Sequence, residues 1–130
     1  MIKVAAEGDT VCAPPLVPDQ QAIDLEQLAR LTFGDRGLEA EVLRLFDRQS
    51  ELLLARMGKV APNGIAALAH TLKGSARGIG AQAVADAAEA VEQAVGQCGT
   101  VAPSEPMRRL SAAVAEAQAV IATLLRTHRT

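Results

Sequence analysis

Ala69-His70-Thr71-Leu72-Lys73-Gly74-Ser75-Ala76-Arg77-Gly78-Ile79-Gly80-Ala81 is the stretch around which the rest of the chain is organised. On a helical wheel at about 100° per residue, the segment from Asn63 to Ile79 gathers Ile65, Leu68, Leu72, Ala76 and Ile79 on one side and sets His70 almost diametrically opposite. Lys73, Gly74 and Arg77 fall within roughly 60° of the imidazole. The helix therefore offers water a strip of one imidazole, two cations and one residue with no side chain. A glycine inside a helix costs about 1 kcal/mol relative to alanine, and Gly74 sits on the outer face, where packing returns nothing. A flat surface beside His70 points to a use other than stability.

The neighbouring segments read as further helices. Met57-Gly58 through Pro62-Asn63-Gly64 is the clearest break in the chain, with Asn63 the expected N-cap of the histidine helix, and the glycines at 78 and 80 permit a tight corner after Ile79. Upstream, Asp24 with Gln27 three positions on has the form of a capping box. Leu25, Leu28 and Leu31 then face inward on a short helix ended by Phe33-Gly34. Asp35 caps a longer helix to about Met57, on which Leu38, Val42, Leu45, Phe46, Leu53 and Met57 recur at spacings of three, four or seven.

Downstream, Val84, Ala88, Val91 and Val95 form one stripe on a helix from Ala81 to about Val95. Gly96, Gly99 and Pro103 mark the next connection. Ser104 caps a last helix with Pro106 in its first turn, where a missing amide hydrogen does no harm. Met107, Leu110, Val114, Ala117, Ile121 and Leu124 form its seam. With no alternating β-branched run in competition, the expected fold is all-α. It is an antiparallel up-down-up-down four-helix bundle over residues 22–130, with a short additional N-terminal helix packed over one end. Residues 1–21, with Pro14, Pro15 and Pro18 and no apolar periodicity, are expected to be a flexible leader.

Composition narrows the function. A chain of 130 residues is one domain by length, and 49% hydrophobic residues suffice for a core. Thirteen basic against fifteen acidic residues give a net charge of −2, which argues against nucleic acid as the main partner. Two phenylalanines without tryptophan or tyrosine supply no stacking platform for bases. No run approaches the roughly 18 to 20 apolar residues that cross a bilayer. Met1 to Val11 lacks an apolar run of secretory length and is interrupted by Glu7 and Asp9, so a cytoplasmic location is expected. Cys12 and Cys98, in expected loop positions and without metal-ligand spacing, read as free thiols.

No histidine, aspartate or glutamate lies three or four residues from His70, which discards a metal site, and no phosphate-cradling glycine loop is present to make the chain a kinase. Thr71 and Ser75 stand where the dimerisation helices of sensor kinases carry an acidic residue and a proline. The polar faces leave no second apolar stripe, and a monomer is expected.

The string His70-x-Leu72-Lys73-Gly74-Ser75 followed by Ile79-Gly80-Ala81 resembles the signature of histidine-containing phosphotransfer (HPt) domains, the small helical carriers of bacterial and fungal phosphorelays. The resemblance covers roughly residues 22–128 and implies the same bundle architecture. It implies His70 as phosphoacceptor, Lys73 as the lysine near the phosphoryl oxygens, and Gly74 as the glycine that leaves room beside the imidazole for a partner. Ser75 fits the small polar residue that follows, although the wheel turns it inward. Arg77 is implied as a docking contact at a position where the family varies. Glu92 falls where several relatives carry glutamine near the histidine, and a carboxylate there would orient the ring.

The implied partners are response-regulator receiver domains and a sensor histidine kinase, hybrid or not. The acidic pocket and Mg²⁺ belong to the receiver, and this chain binds no cofactor of its own. A free imidazole titrates near neutrality and needs no dedicated base, and in-line transfer rests on positioning and charge neutralisation. The implied role is a stoichiometric phosphoryl carrier of two-component signal transduction, a phosphoprotein and not an enzyme. Two alternatives stay open. Histidine-bearing domains of chemotaxis-type kinases share the His-x-x-Lys-Gly core, and a helical adaptor would use the same flat face with no chemistry. His128, the only other histidine, is expected to be inert in a fraying last turn.

Overall fold

Asp24 lies in extended backbone and its carboxylate accepts hydrogen bonds from the amides of Glu26 and Gln27 at 3.1 and 3.2 Å, which starts helix α1, Leu25–Leu31. The computed structural model describes residues 22–98 and 104–128, and the described residues form five helices and no strand. Asp35 starts α2, Arg36–Met57, by accepting from the Leu38 amide at 3.0 Å. Then follow α3, Pro62–Ile79, α4, Gln82–Cys98, and α5, Ser104–His128. The leader expected at residues 1–21 lies outside the described residues, as does Cys12.

Three expected boundaries move. Asn63 is not the N-cap of α3: the extended residue there is Ala61, with no side-chain cap, and Pro62 opens the helix. A residue before proline is pushed toward extended backbone, and proline's fixed φ suits a first turn, so the chain turns helical ahead of Asn63. Helix α4 continues past Val95 to Cys98, placing Cys98 on a helix and not in a loop. The expected break at Gly96 fails because one helical glycine costs only about 1 kcal/mol, while Val91 and Val95 are buried alongside it. Ser104, expected as a cap, is itself the first residue of α5.

Helix α2 packs on α3 and α5, and α4 packs on α3 and α5, which closes the four long helices into a ring, with α1 resting on α3. The interior holds Leu43, Phe46 and Met57 of α2, Ile65 and Leu72 of α3, Val84 and Val91 of α4, and Leu110, Val114 and Ile121 of α5. Between α3 and α4 the fully buried residues include Ala69, Ala76, Ala85 and Ala88. Small side chains let helix axes approach closely, and this brings groups on α4 within reach of the outer face of α3. Two buried hydroxyls, Thr32 and Ser50, are satisfied by the Leu28 and Phe46 carbonyls at 2.9 and 2.8 Å.

Some residues expected to face inward do not. Of the three leucines of α1 only Leu28 is buried, while Leu25 and Leu31 are exposed. On α2 the inward stripe runs through Ala40, Leu43, Phe46, Ser50, Leu53 and Met57, and Leu38 and Leu45 turn outward. With Leu52 they form an exposed line at seven-residue intervals, so the expectation of no second apolar stripe is corrected. Both stripes satisfy helical spacing, and the buried one includes a polar residue, Ser50, whose hydroxyl is satisfied by its own helix's backbone.

The end of α3 is a Schellman turn. Gly80 takes φ +87°, the Ala81 amide donates to the Ala76 carbonyl at 2.8 Å, and the Gly80 amide reaches the Arg77 carbonyl at 3.4 Å. The Gly80 carbonyl accepts from the Asp24 amide at 2.8 Å, and a Cβ on Gly80 would lie 2.9 Å from the Asp24 carbonyl oxygen. Gly78 stays helical with open space beside it, so the corner belongs to Gly80 alone. Gln27 leaves the capping box half made. Its side-chain amide donates to the Arg77 carbonyl, which ties α1 to the last turn of α3.

Candidate functional site

The His70 side chain is 70% exposed on α3, with Nδ1 3.0 Å from Oε2 of Glu92 on α4. The other carboxylate oxygen of Glu92 lies 2.6 Å from Lys73 Nζ. One carboxylate thus holds both the imidazole and the lysine, an oxygen to each. The Lys73 contact has the distance of a strong ion pair without hydrogen-bond alignment, so the charge of Oε1 is offset while its lone pairs stay poorly satisfied. Lys73 at close range holds the Glu92 carboxyl below its ordinary range, burial opposes that shift, and His70 adds to the lowering. Glu92 is therefore ionised at neutral pH.

This corrects the strip expected from the wheel. Lys73 does not face water freely: its side chain is only 16% exposed and leans onto α4. Arg77 is also engaged, its Nη2 2.9 Å from Glu89 Oε1, and Glu89 in turn accepts from Gln93 at 3.3 Å. The pairs Lys73 with Glu92 and Arg77 with Glu89 show α3 and α4 running in opposite directions. Glu89 and the tie from Gln27 to Arg77 were missed in the sequence. The legible signal for Glu89 was two acids three apart on one helix facing two cations four apart on the previous one.

Gly74 is where its expected role needs it, exposed one turn from His70, and a Cβ added there would meet nothing within 4 Å. Nothing in the chain's own packing requires a glycine at this position. Ser75 is half-buried and lines a shallow cleft with Val42, Leu45, Phe46, Gln49 and Ile79, as its inward turn on the wheel implied. The side chain of His128 lies outside the described residues. Among the described residues no three His, Cys, Asp or Glu side chains are grouped to hold a metal ion, and no helix is long and apolar enough to cross a membrane.

Fold and site together define a helical-bundle domain that presents one histidine on its surface, braced by an acid–lysine pair. The chain matches the family model of the Hpt domain over residues 16–123 and belongs to that family. Domains of this family carry phosphoryl groups on histidine in phosphorelays and interact with the receiver domains and kinases of two-component systems. No curated protein and no solved structure matches the chain.

Proposed function

We propose that this chain is a histidine phosphotransfer protein of a two-component phosphorelay, carrying a phosphoryl group on His70 between a sensor kinase, hybrid or not, and receiver domains. The observation that supports this most is the exposed imidazole whose Nδ1 is held by an ionised Glu92 at 3.0 Å. A charged carboxylate accepts a hydrogen bond from Nδ1–H, which keeps the ring proton on Nδ1 and leaves the lone pair of the neutral ring on Nε2, at the opposite edge. That lone pair attacks the phosphorus of an aspartyl phosphate, the bond to the aspartyl oxygen breaks, and the carboxylate leaves with the electron pair. Transfer onward reverses the step.

Lys73 supplies positive charge to the phosphoryl oxygens, Gly74 gives the partner clearance beside the ring, and Arg77 contributes to docking at the edge. The exposed leucines of α2 and the cleft beside Ser75 extend that docking face on the Gly74–Ser75 side of α3. Mg²⁺ and the acidic pocket come with the receiver, and this chain acts as a stoichiometric carrier without catalytic groups of its own. It works in the cytoplasm as a monomer between transient complexes. The ring of helices is up-down-up-down, since connections as short as Gly80–Ala81 favour antiparallel neighbours.

The test is to mix the purified protein with phosphorylated receivers and candidate kinases and follow labelled phosphate. Wild type takes an acid-labile, alkali-stable label and His70→Gln takes none. A label that survives in His70→Gln would move the acceptor away from His70, with His128 the only other histidine, and normal partner binding and signalling by His70→Ala would leave a non-catalytic adaptor as the correct reading.

A further inference from the structure

Most cations of the chain hold a carboxylate: Arg30, Lys73, Arg77, Arg108 and Arg109 are each in an ion pair. Among the described residues no carboxylate pairs with Arg44, Arg48 or Arg126. Acids are available to the first two, since Asp47 stands three positions from Arg44 and Glu51 three from Arg48, a spacing at which helical ion pairs form. Glu51 instead accepts from the Gln118 side chain of α5 at 2.7 Å, and the pairing is left unmade.

Helices α2 and α5 pack side by side, and the groove between them lies across the ring from α3 and α4, which carry His70 and Glu92. In that groove Arg44 of α2 and Arg126 of α5 flank an open cleft of about 410 Å³, completed by Ala122 and Leu125. No carboxylate lines it. Asp47 and Glu51 line the adjoining cleft with Arg44 and Arg48, further along α2. Arg126 donates to the Thr123 hydroxyl at 3.2 Å, which steadies its guanidinium and leaves other donors of the fork free. In a chain of net charge −2, this cleft is a local excess of cation over an apolar floor.

We propose that the α2–α5 cleft is a second docking site, which takes an acidic segment of a partner protein with an apolar side chain beside its carboxylate. The carboxylate is held by Arg44 and Arg126, whose planar donors match it, and the apolar neighbour covers Ala122 and Leu125. An open cleft with one cation on each of two helices suits an extended peptide, whereas small molecules bind in concavities that enclose them. A membrane surface fits less well, because anionic headgroups spread over this face would also meet Asp47 and Glu51. A segment seated here leaves the imidazole open on the other side of the bundle. It would tether the chain to the protein that carries it and raise the effective concentration of His70 there. The site does not depend on His70 being the phosphoacceptor.

The experiment titrates the full chain into a dye-labelled peptide of alternating aspartate and leucine, read by fluorescence anisotropy, with ¹⁵N shift mapping of the same mixture. Saturable binding is expected, with shifts at Arg44, Ala122, Leu125 and Arg126 and weakening as salt is raised. Arg44→Glu combined with Arg126→Glu is expected to lower the affinity by about tenfold or more. Arg36→Glu combined with Arg56→Glu, the same charge change away from the cleft, is expected to alter it by less than about twofold. His70→Gln should bind the peptide as wild type does, and the cleft variant should take phosphoryl label as wild type does, so this proposal and the carrier reading fail separately. Equal losses in the two double variants, no saturable binding, or shifts confined to the α3–α4 face would overturn the proposal. Tighter binding to phosphatidylglycerol vesicles than to the peptide, lost in the cleft variant, would also overturn it and assign the cleft to a membrane surface. Should the charge reversal prevent folding, Arg44→Gln combined with Arg126→Gln decides: loss of affinity supports the site, and wild-type affinity overturns it.

Discussion

At the scale of single residues, Gly74 and Lys73 separate stability from function in opposite ways. Gly74 has open space where a methyl group would go, and a helical glycine is worth less than alanine. Gly74→Ala should stabilise the fold by roughly 0.5 to 1 kcal/mol in chemical denaturation, while slowing phosphoryl transfer from a receiver that needs the flat surface. An unchanged transfer rate would show that no partner approaches there. Lys73→Met removes the chief cause of the downward shift of the Glu92 pKa. A carboxyl whose folded value is lowered adds stability above its unfolded value and loses it as pH falls through the folded one. Lys73→Met should therefore melt below wild type at pH 7, and the gap should close on acidification through the carboxylate range. A gap that persists in acid would assign the effect to lost packing of the lysine stem.

At the scale of elements, two glycines two positions apart at the end of α3 should respond differently. Gly80 combines φ +87° with a contact to the Asp24 backbone, so Gly80→Ala should lose more than about 2 kcal/mol and release α1 from the end of α3. Gly78→Ala, helical and in open space, should be neutral or stabilising by up to about 1 kcal/mol. Thermal melts of the two variants check this directly. The helices themselves were legible in the chain, because Asp24 and Asp35 announce their starts and apolar spacing marks their length. The start of α3 was not, since Asn63 has the chemistry of a cap but stands behind a proline that already sets the first turn.

At the scale of the whole molecule, the ring of four helices uses one stripe of α2 and leaves the other, Leu38, Leu45 and Leu52, to solvent. If that stripe serves docking, Leu45→Asp should leave the melting temperature nearly unchanged while weakening receiver binding by about tenfold or more. Calorimetric titration against a receiver, beside a thermal melt, reads both. A large fall in melting temperature with intact binding would make the stripe part of the fold's own packing. The same ring decides the site, because the buried alanines between α3 and α4 set the approach that lets Glu92 span to His70 and Lys73.

The amino-acid sequence by itself determined an all-helical chain, the outward placement of His70 and the bare surface at Gly74. These are local consequences of helical periodicity, which places each side chain relative to its own axis. Which stripe of α2 is buried, the clamp of Glu92 on His70 and Lys73, and the pairing of Arg77 with Glu89 were decided only in the tertiary structure. Those contacts join residues far apart in the chain, and their distances depend on the offset and spacing of packed helices, which no single helix specifies.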